Sequence, residues 1–311
     1  MKFAIFGTGG VGGYFGGRLA QAGEDVTFIA RGEHLTAIRE HGLHVDSIEG
    51  DFVIQPAQAT ENVDSVGAVD VVLVAVKAWQ LPDVIQQLKP LIGQETYAVW
   101  LGNGIEGTEQ LVAALGQRHV VGGLCRISSF VGGAGHIQHV GIAPSIAFGE
   151  LERNLSPRVE ALRDVFVKCK GLRVEVPPDI HVALWEKFVF IAAVSGVGAV
   201  TRQPMGGYRT VAESRSMLIA ALEETSALAR ARGVAIPADL SERILANTID
   251  KAAPTVVASM QKDIMDGRPS ELEAQTGYVI RLGRQLGIRT PTHEFIYACL
   301  LPQERKARGI V

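Results

Sequence analysis

The sequence predicts a parallel α/β domain followed by an all-helical one. Three observations predict it. Short β-branched runs alternate with amphipathic segments through the first half, the pattern of a parallel sheet covered by helices. A glycine-rich turn joins the first apolar run to the first helical pattern, and no convincing strand follows "VPPDI" at 176–180. The expected division is therefore residues 1–178 and residues 179–311.

A chain of 311 residues is long enough for two domains, and 47% hydrophobic with 20% charged residues reads as an ordinary globular protein rather than a disordered one. Thirty basic and 33 acidic residues, net charge -3, give no field to attract nucleic acid or an anionic membrane, so a small-molecule partner is expected. Cys125, Cys169 and Cys299 lie far apart and form neither a disulfide framework nor a metal-type pair; buried thiols in a reducing compartment are expected. The chain enters a core strand at once, without a cleavable signal pattern, which points to the cytoplasm. The uncharged stretch Phe188–Val200 is short for a membrane span and reads as a buried helix.

Expected strands are Lys2–Phe6, Val26–Ala30, Val69–Val76, Tyr97–Leu101, Val120–Arg126 and Leu172–Val176. "LHVDSIEGDFVIQP" reads as an inserted hairpin around Glu49-Gly50-Asp51, and a second β pair is expected through "SSFVGGAGHIQHVG" and "SIAFGE", before a helix from about Pro157 to Lys170. In the second half, "TVAE" at Thr210–Glu213 has capping-box spacing before a helix that stops at Gly233. Asp239 can cap a helix ending before Pro254, and the next ends near Gly267. A second box, "SELE" at Ser270–Glu273, opens a helix to about Gly287, and Thr290-Pro291 starts the last.

The turn Gly7-Thr8-Gly9-Gly10-Val11-Gly12 carries the GxGxxG spacing between a strand and a helix, the context of a dinucleotide fingerprint in a Rossmann-type domain; the other reading is a glycine-rich turn that packs without a ligand. The first glycine makes the tight turn, the second lets backbone N–H groups approach a pyrophosphate, and the third lets helix and strand pack closely. At the end of the second strand a carboxylate would bind a ribose 2′-hydroxyl, but Glu24 and Asp25 stand at the wrong end and Arg31 at the right one. A guanidinium suits a 2′-phosphate, so NADP(H) is the expected cofactor; the other reading of Arg31 is a solvated surface side chain.

Lys77 and Asn103 follow apolar runs at the carboxyl ends of expected strands, where ligands of open α/β sheets bind. Asn103, between Gly102 and Gly104, also suits a simple turn. Lys187 is the only Lys or Arg between Arg173 and Arg202, on a helix with apolar flanks; its ammonium either snorkels to water or is paired and functional. Glu271 stands just after Ser270 at a helix start, where helix capping is the alternative to a ligand role. Trp185 fits core packing, and His136 and His139 fit a hairpin edge and suggest no metal site.

The pieces "GTGGVGG" with Arg31, "VKAWQ" with Lys77, "LGNGIE" with Asn103, "WEKF" with Lys187 and "SMQKDIMDGRPSELE" with Ser259, Asp263 and Glu271 together resemble the ketopantoate reductase (2-dehydropantoate 2-reductase) family over essentially the whole chain. The last piece also argues against a 6-phosphogluconate-like β-hydroxyacid dehydrogenase. The resemblance implies NADPH-dependent reduction of a 2-keto acid, 2-dehydropantoate to (R)-pantoate as in pantothenate biosynthesis, with Lys187 as proton donor. It assigns Glu271 and Ser259 to the substrate. From their strand-end positions Asn103 can meet substrate or cofactor and Lys77 the cofactor, while Asp263, four residues after Ser259, can share its helix face and hold the site together. A homodimer is compatible with the resemblance. The family usually has asparagines four and eight residues after the helix lysine, where this sequence has Ile191 and Ser195. That departure keeps two alternatives open: a reductase of another branched 2-keto acid, and a non-catalytic NADP(H)-sensing protein.

Overall fold

The computed structural model describes residues 1–310, which form two compact units. The first comprises Met1–Gly102 and Gly107–Ala183; the second comprises Asn103–Glu106 and the chain from Leu184 onward. That a four-residue piece following a strand clusters with the helical unit is not apparent from the sequence.

The first unit runs β1 (Lys2–Phe6), α1 (Gly10–Gln21), β2 (Asp25–Ile29), α2 (Gly32–His41), β3 (Leu43–Ser47), β4 (Phe52–Ile54), β5 (Gln58–Thr60), β6 (Val69–Val74), α3 (Leu81–Gln87), β7 (Ile92–Trp100), α4 (Glu106–Leu115), β8 (Val120–Gly133), β9 (His136–Gly149), α5 (Pro157–Phe166) and β10 (Arg173–Glu175). Strands β5, β2, β1, β6, β7 and β8 lie side by side in that order, every pair parallel, which is the Rossmann-type arrangement with β1 central. Alternate residues of β1 serve opposite faces. Phe3 and Ile5 join a core with Tyr14 and Phe15 of α1, while Ala4 and Phe6 join another with Val72, Leu81 and Leu111. Burial on both faces explains why these strands read as continuous apolar runs rather than alternating ones.

The sheet is mixed rather than wholly parallel. β8 and β9 form one long antiparallel hairpin around Ala134-Gly135, whose far half is the expected second β pair. The hairpin around Glu49-Gly50-Asp51 forms, with Leu43 opposite Ile54, and joins the sheet through β3 alongside β9. β10 pairs parallel with β9. β5 is an addition to the expected strands; Gln58-Ala59-Thr60 has no apolar run and is held at the sheet edge by its pairing to β2 and by Arg39 of α2, whose Nε donates to the Ala59 carbonyl at 2.9 Å. Helix α5 ends at Phe166, short of Lys170, because the next N–H groups of Lys168 and Cys169 bond three residues back and tighten the chain.

The second unit contains most of α6 (Ile180–Thr201), then α7 (Met205–Thr210), α8 (Ala212–Ala231), α9 (Leu240–Ile244), α10 (Ser259–Met265), α11 (Tyr278–Leu286) and α12 (Pro291–Ala307), with π-helical turns at Leu245–Ile249 and Glu273–Gly277. Helix α6 is longer than the uncharged stretch suggested: its 22 residues are long and apolar enough to cross a membrane by length and composition, with 67% of the most apolar window buried inside the protein. Apolar on all sides, it is a core helix of this unit. The helix stops at Gly233, Gly267 and Gly287 are present, each glycine at positive φ.

Neither expected capping box forms. Thr210 ends α7 instead, its hydroxyl donating back to the Gly206 carbonyl at 2.9 Å. Ser270 accepts from the Leu272 N–H at 3.1 Å, but the reciprocal partner of its own N–H is Glu304, 34 residues away, at 3.1 Å. Glu273 pairs with Arg281 and Tyr297. Cys125 and Cys169 are buried, whereas Cys299 is exposed, contrary to the expectation for all three; burial pushes the Cys169 thiol up to about 12.

Candidate active site

The glycine turn leaves β1 and enters α1. Gly7 sits at φ +96°, in the region closed to most side chains, and a Cβ there would lie 2.6 Å from Val76 Cγ1. A Cβ on Gly12 would overlap the Gly7 carbonyl oxygen and lie 3.0 Å from Ile5 Cγ2, so this glycine is what allows α1 to rest on β1. Gly9 differs. Its backbone is extended and a Cβ would meet nothing within 4 Å, so its missing side chain serves space outside the protein's own packing. That contrast fits a pyrophosphate approaching the turn, with the N-terminus of the 12-residue α1 contributing positive potential.

Thr8 turns inward, its hydroxyl donating to the Ile29 carbonyl at the end of β2 at 3.0 Å, which leaves only its backbone for a ligand. Gly10 packs under the β8–β9 hairpin, where a Cβ would lie 2.6 Å from the Ser129 carbonyl carbon. Val11 is half-buried in the first turn of α1. Arg31 stands two residues past β2 as the N-cap residue of α2; its carbonyl accepts from the Leu35 N–H at 3.3 Å, while its exposed side chain has no hydrogen bond or ion pair among the described residues. Lys77 lies three residues past β6, half-buried, with its N–H donating to Gln80 Oε1 at 3.2 Å. His34 was not singled out in the sequence. Its Nδ1 accepts from the Gly135 N–H at 2.9 Å, so Nε2 carries the proton and donates to the Thr8 carbonyl at 2.7 Å. The ring thereby braces the glycine turn.

In the helical unit the structure brings Asn103 and Glu271 together. Glu271 is buried, and its Oε2 accepts from Asn103 Nδ2 at 3.1 Å and from Gln275 Nε2 at 3.3 Å. Two features hold Asn103 there. Gly104 approaches so closely that a Cβ would lie 3.1 Å from the Ala274 carbonyl, and Arg281 reaches Glu106 at 2.9 Å. Glu271 is held in turn through its neighbour: Ser270 donates its N–H and hydroxyl to Glu304, and Arg308 bonds Glu304 at 2.6 Å and the Ser270 carbonyl at 2.9 Å. Beside the π-turn, Tyr297 donates to Glu273 at 2.7 Å; burial first, and that bond second, push its phenol up to about 12.

Lys187 is half-buried on α6, beside buried Trp185 and Phe188, whose rings meet edge to face at 5.7 Å. Trp185 is thus core. One and two turns further along, Ile191 is half-buried and Ser195 wholly buried, with no hydrogen-bond partner for the Ser195 hydroxyl among the described residues. Ser259 opens α10, exposed, its hydroxyl without a hydrogen bond among the described residues. Asp263, one turn on, is buried and accepts from Arg268 at 3.0 Å.

A family model of the ketopantoate reductase PanE/ApbA domain matches residues 3–153, and its C-terminal counterpart matches 179–304. The chain belongs to the ketopantoate reductase family. It is 33% identical over 302 residues to "Uncharacterized oxidoreductase YkpB" of Bacillus subtilis, covering 96% of this chain and 98% of that one. It is 30% identical over 322 residues to the 2-dehydropantoate 2-reductase of Mesorhizobium japonicum, covering 96% of each. Among solved structures, the 2-dehydropantoate 2-reductase of Geobacter metallireducens GS-15 superposes with a TM-score of 0.89 at 29% identity, covering 97% of this chain and 99% of that one. Membership in the ketopantoate reductase family makes the chain an oxidoreductase that uses a nicotinamide dinucleotide, and the two relatives named as 2-dehydropantoate 2-reductases act on a small keto acid.

Proposed function

We propose that this protein reduces a 2-keto acid to the 2-hydroxy acid with NADPH, and that the acid is 2-dehydropantoate. The observation that carries the reading is the buried Glu271 carboxylate, held by the Asn103 amide on the piece of chain that follows β7. A buried carboxylate is costly unless donors hold it, as the Asn103 amide does here, and it still offers acceptors to a substrate hydroxyl.

The N–H groups of the Gly7–Gly12 turn would hold the pyrophosphate, Lys77 the nucleotide near the end of β6, and Arg31 the 2′-phosphate through its guanidinium fork. Bound there, a dihydronicotinamide supplies the hydride that adds to the C2 carbonyl carbon. As the C–O double bond opens, Lys187 Nζ gives a proton to the oxygen and is reprotonated from water, so keto acid, hydride and one proton become the hydroxy acid. Asn103 orients the carbonyl, and Glu271 and Ser259 anchor the substrate; Asp263 keeps α10 in place through Arg268. The family likeness of "WEKF" and "SMQKDIMDGRPSELE" supports these roles, and the named relatives support the substrate.

One observation favours a second reading of the substrate. Ile191 and Ser195 put no amide on α6, which suits another branched or more apolar 2-keto acid. The test is continuous NADPH oxidation over a panel of 2-keto acids, repeated with NADH. Turnover of 2-dehydropantoate above the others, with NADPH preferred, supports the proposal. Preference for another acid moves the substrate, and tight NADPH binding without oxidation of any acid makes the protein a sensor.

A further inference from the structure

We propose that Gln275 is a positioning residue that fixes the Glu271 carboxylate for a substrate hydroxyl, and thereby sets a preference for hydroxyl-bearing keto acids. The proposal rests on the reading of Glu271 as substrate anchor. Gln275 lies on the π-helical turn Glu273–Gly277 and is completely buried. Such one-residue expansions recur at functional sites, where they re-aim a side chain. Its Nε2 shares the Glu271 Oε2 with Asn103, at 3.3 and 3.1 Å. Reversing the amide would set two oxygens against each other, so its orientation is settled by the carboxylate.

Two amide donors, from segments 172 residues apart in sequence (275 minus 103), meet on one carboxylate oxygen. Rotation of the carboxyl group would break both bonds, so the direction in which Glu271 accepts further hydrogen bonds is fixed. Gln275 Oε1 is itself buried without a partner among the described residues. An ionised carboxylate only accepts, so the substrate group that Glu271 anchors must donate. The ketone and carboxylate of a keto acid have no proton to give, so the donor is a hydroxyl on the substrate side chain.

The test compares 2-dehydropantoate with 3,3-dimethyl-2-oxobutanoate, the same skeleton without the hydroxyl, for the wild type, Gln275→Leu, the equally long Gln275→Met, and Glu271→Gln. Circular dichroism and thermal melting establish that each variant is folded. The wild type should favour the hydroxyl acid by about 100-fold in kcat/KM, and Gln275→Leu and Gln275→Met should each cut that ratio about tenfold through KM, with kcat and NADPH affinity unchanged. An unchanged ratio in both Gln275 variants, while Glu271→Gln loses it, overturns the role of Gln275 and leaves the proposed function standing. An unchanged ratio in Glu271→Gln as well overturns the reading of Glu271, and this proposal with it. An equal fall in kcat for both acids would mark Gln275 as merely structural and also overturn it.

Discussion

Gly9 and Gly12 are three residues apart in one turn, yet alanine at each has opposite consequences. At Gly12 the new Cβ overlaps the Gly7 carbonyl oxygen, and Ile5 Cγ2 and Ala75 Cβ stand at 3.0 and 3.1 Å, so backbone rather than a flexible side-chain end must yield. Overpacking of this kind costs about 3 kcal/mol, of which the helix propensity of alanine returns about 1, leaving roughly 2 kcal/mol. For a unit of this size that lowers Tm by about 4–8 °C. At Gly9 the Cβ meets nothing within 4 Å and the backbone is extended, so Gly9→Ala should match or exceed the wild type by about 0.4–1 kcal/mol. Its methyl group, however, occupies the space into which a pyrophosphate must come, and losing even about 1.4 kcal/mol there weakens NADPH tenfold. Thermal melts without nucleotide and NADPH titration by fluorescence read the two effects separately. Wild-type NADPH affinity in Gly9→Ala, or equal destabilisation by both substitutions, would refute the assignment of the two glycines.

Further outcomes follow from exposed and buried charge. Arg31→Ala should leave folding stability within about 0.5 kcal/mol of wild type, because the side chain has no partner among the described residues, while weakening NADPH by about 10- to 100-fold and NADH hardly at all; equal loss for both nucleotides would contradict a 2′-phosphate contact. Glu224 caps α12, accepting from the Thr292 and His293 N–H groups at 2.8 and 3.1 Å and from His293 Nδ1 at 2.7 Å. Burial would raise its pKa, but these bonds outweigh it and hold the carboxyl below its usual range. A carboxyl lowered on folding adds stability above its unfolded pKa and loses it as pH falls through the folded one. Wild-type Tm should therefore drop between about pH 5 and pH 3 more steeply than that of Glu224→Gln, and parallel curves would count against the ionised cap.

Much of the first unit is legible because its signals are local. A buried parallel strand needs apolar residues on both faces, so Lys2–Phe6 and Val69–Val74 announce themselves, and Gly7 and Gly12 answer close steric demands while Gly9 leaves open space beside the turn. What escapes the sequence depends on distant partners. The "SELE" box has the right spacing, but Glu304 arrives on α12 to take the Ser270 N–H. β5 depends on the edge that β2 offers and on Arg39, 20 residues from the Ala59 carbonyl it bonds. His34 shows no motif, since its partners Thr8 and Gly135 are 26 and 101 residues away. Gln275 did have a signal, its place four residues after Glu271, but the π-turn that carries it leaves no mark in a helical periodicity. Of the candidate site, the sequence suggested the residue types; the meeting of Asn103 with Glu271 required the close approach of Gly104 to Ala274.

The central claim is keto acid reduction with Lys187 as the proton donor, and NADPH oxidation with 2-dehydropantoate by wild type and Lys187→Ala tests it most directly. The wild type should turn the acid over, and Lys187→Ala should retain NADPH affinity while kcat falls by about 10²- to 10⁴-fold. Undiminished kcat in folded Lys187→Ala would contradict it.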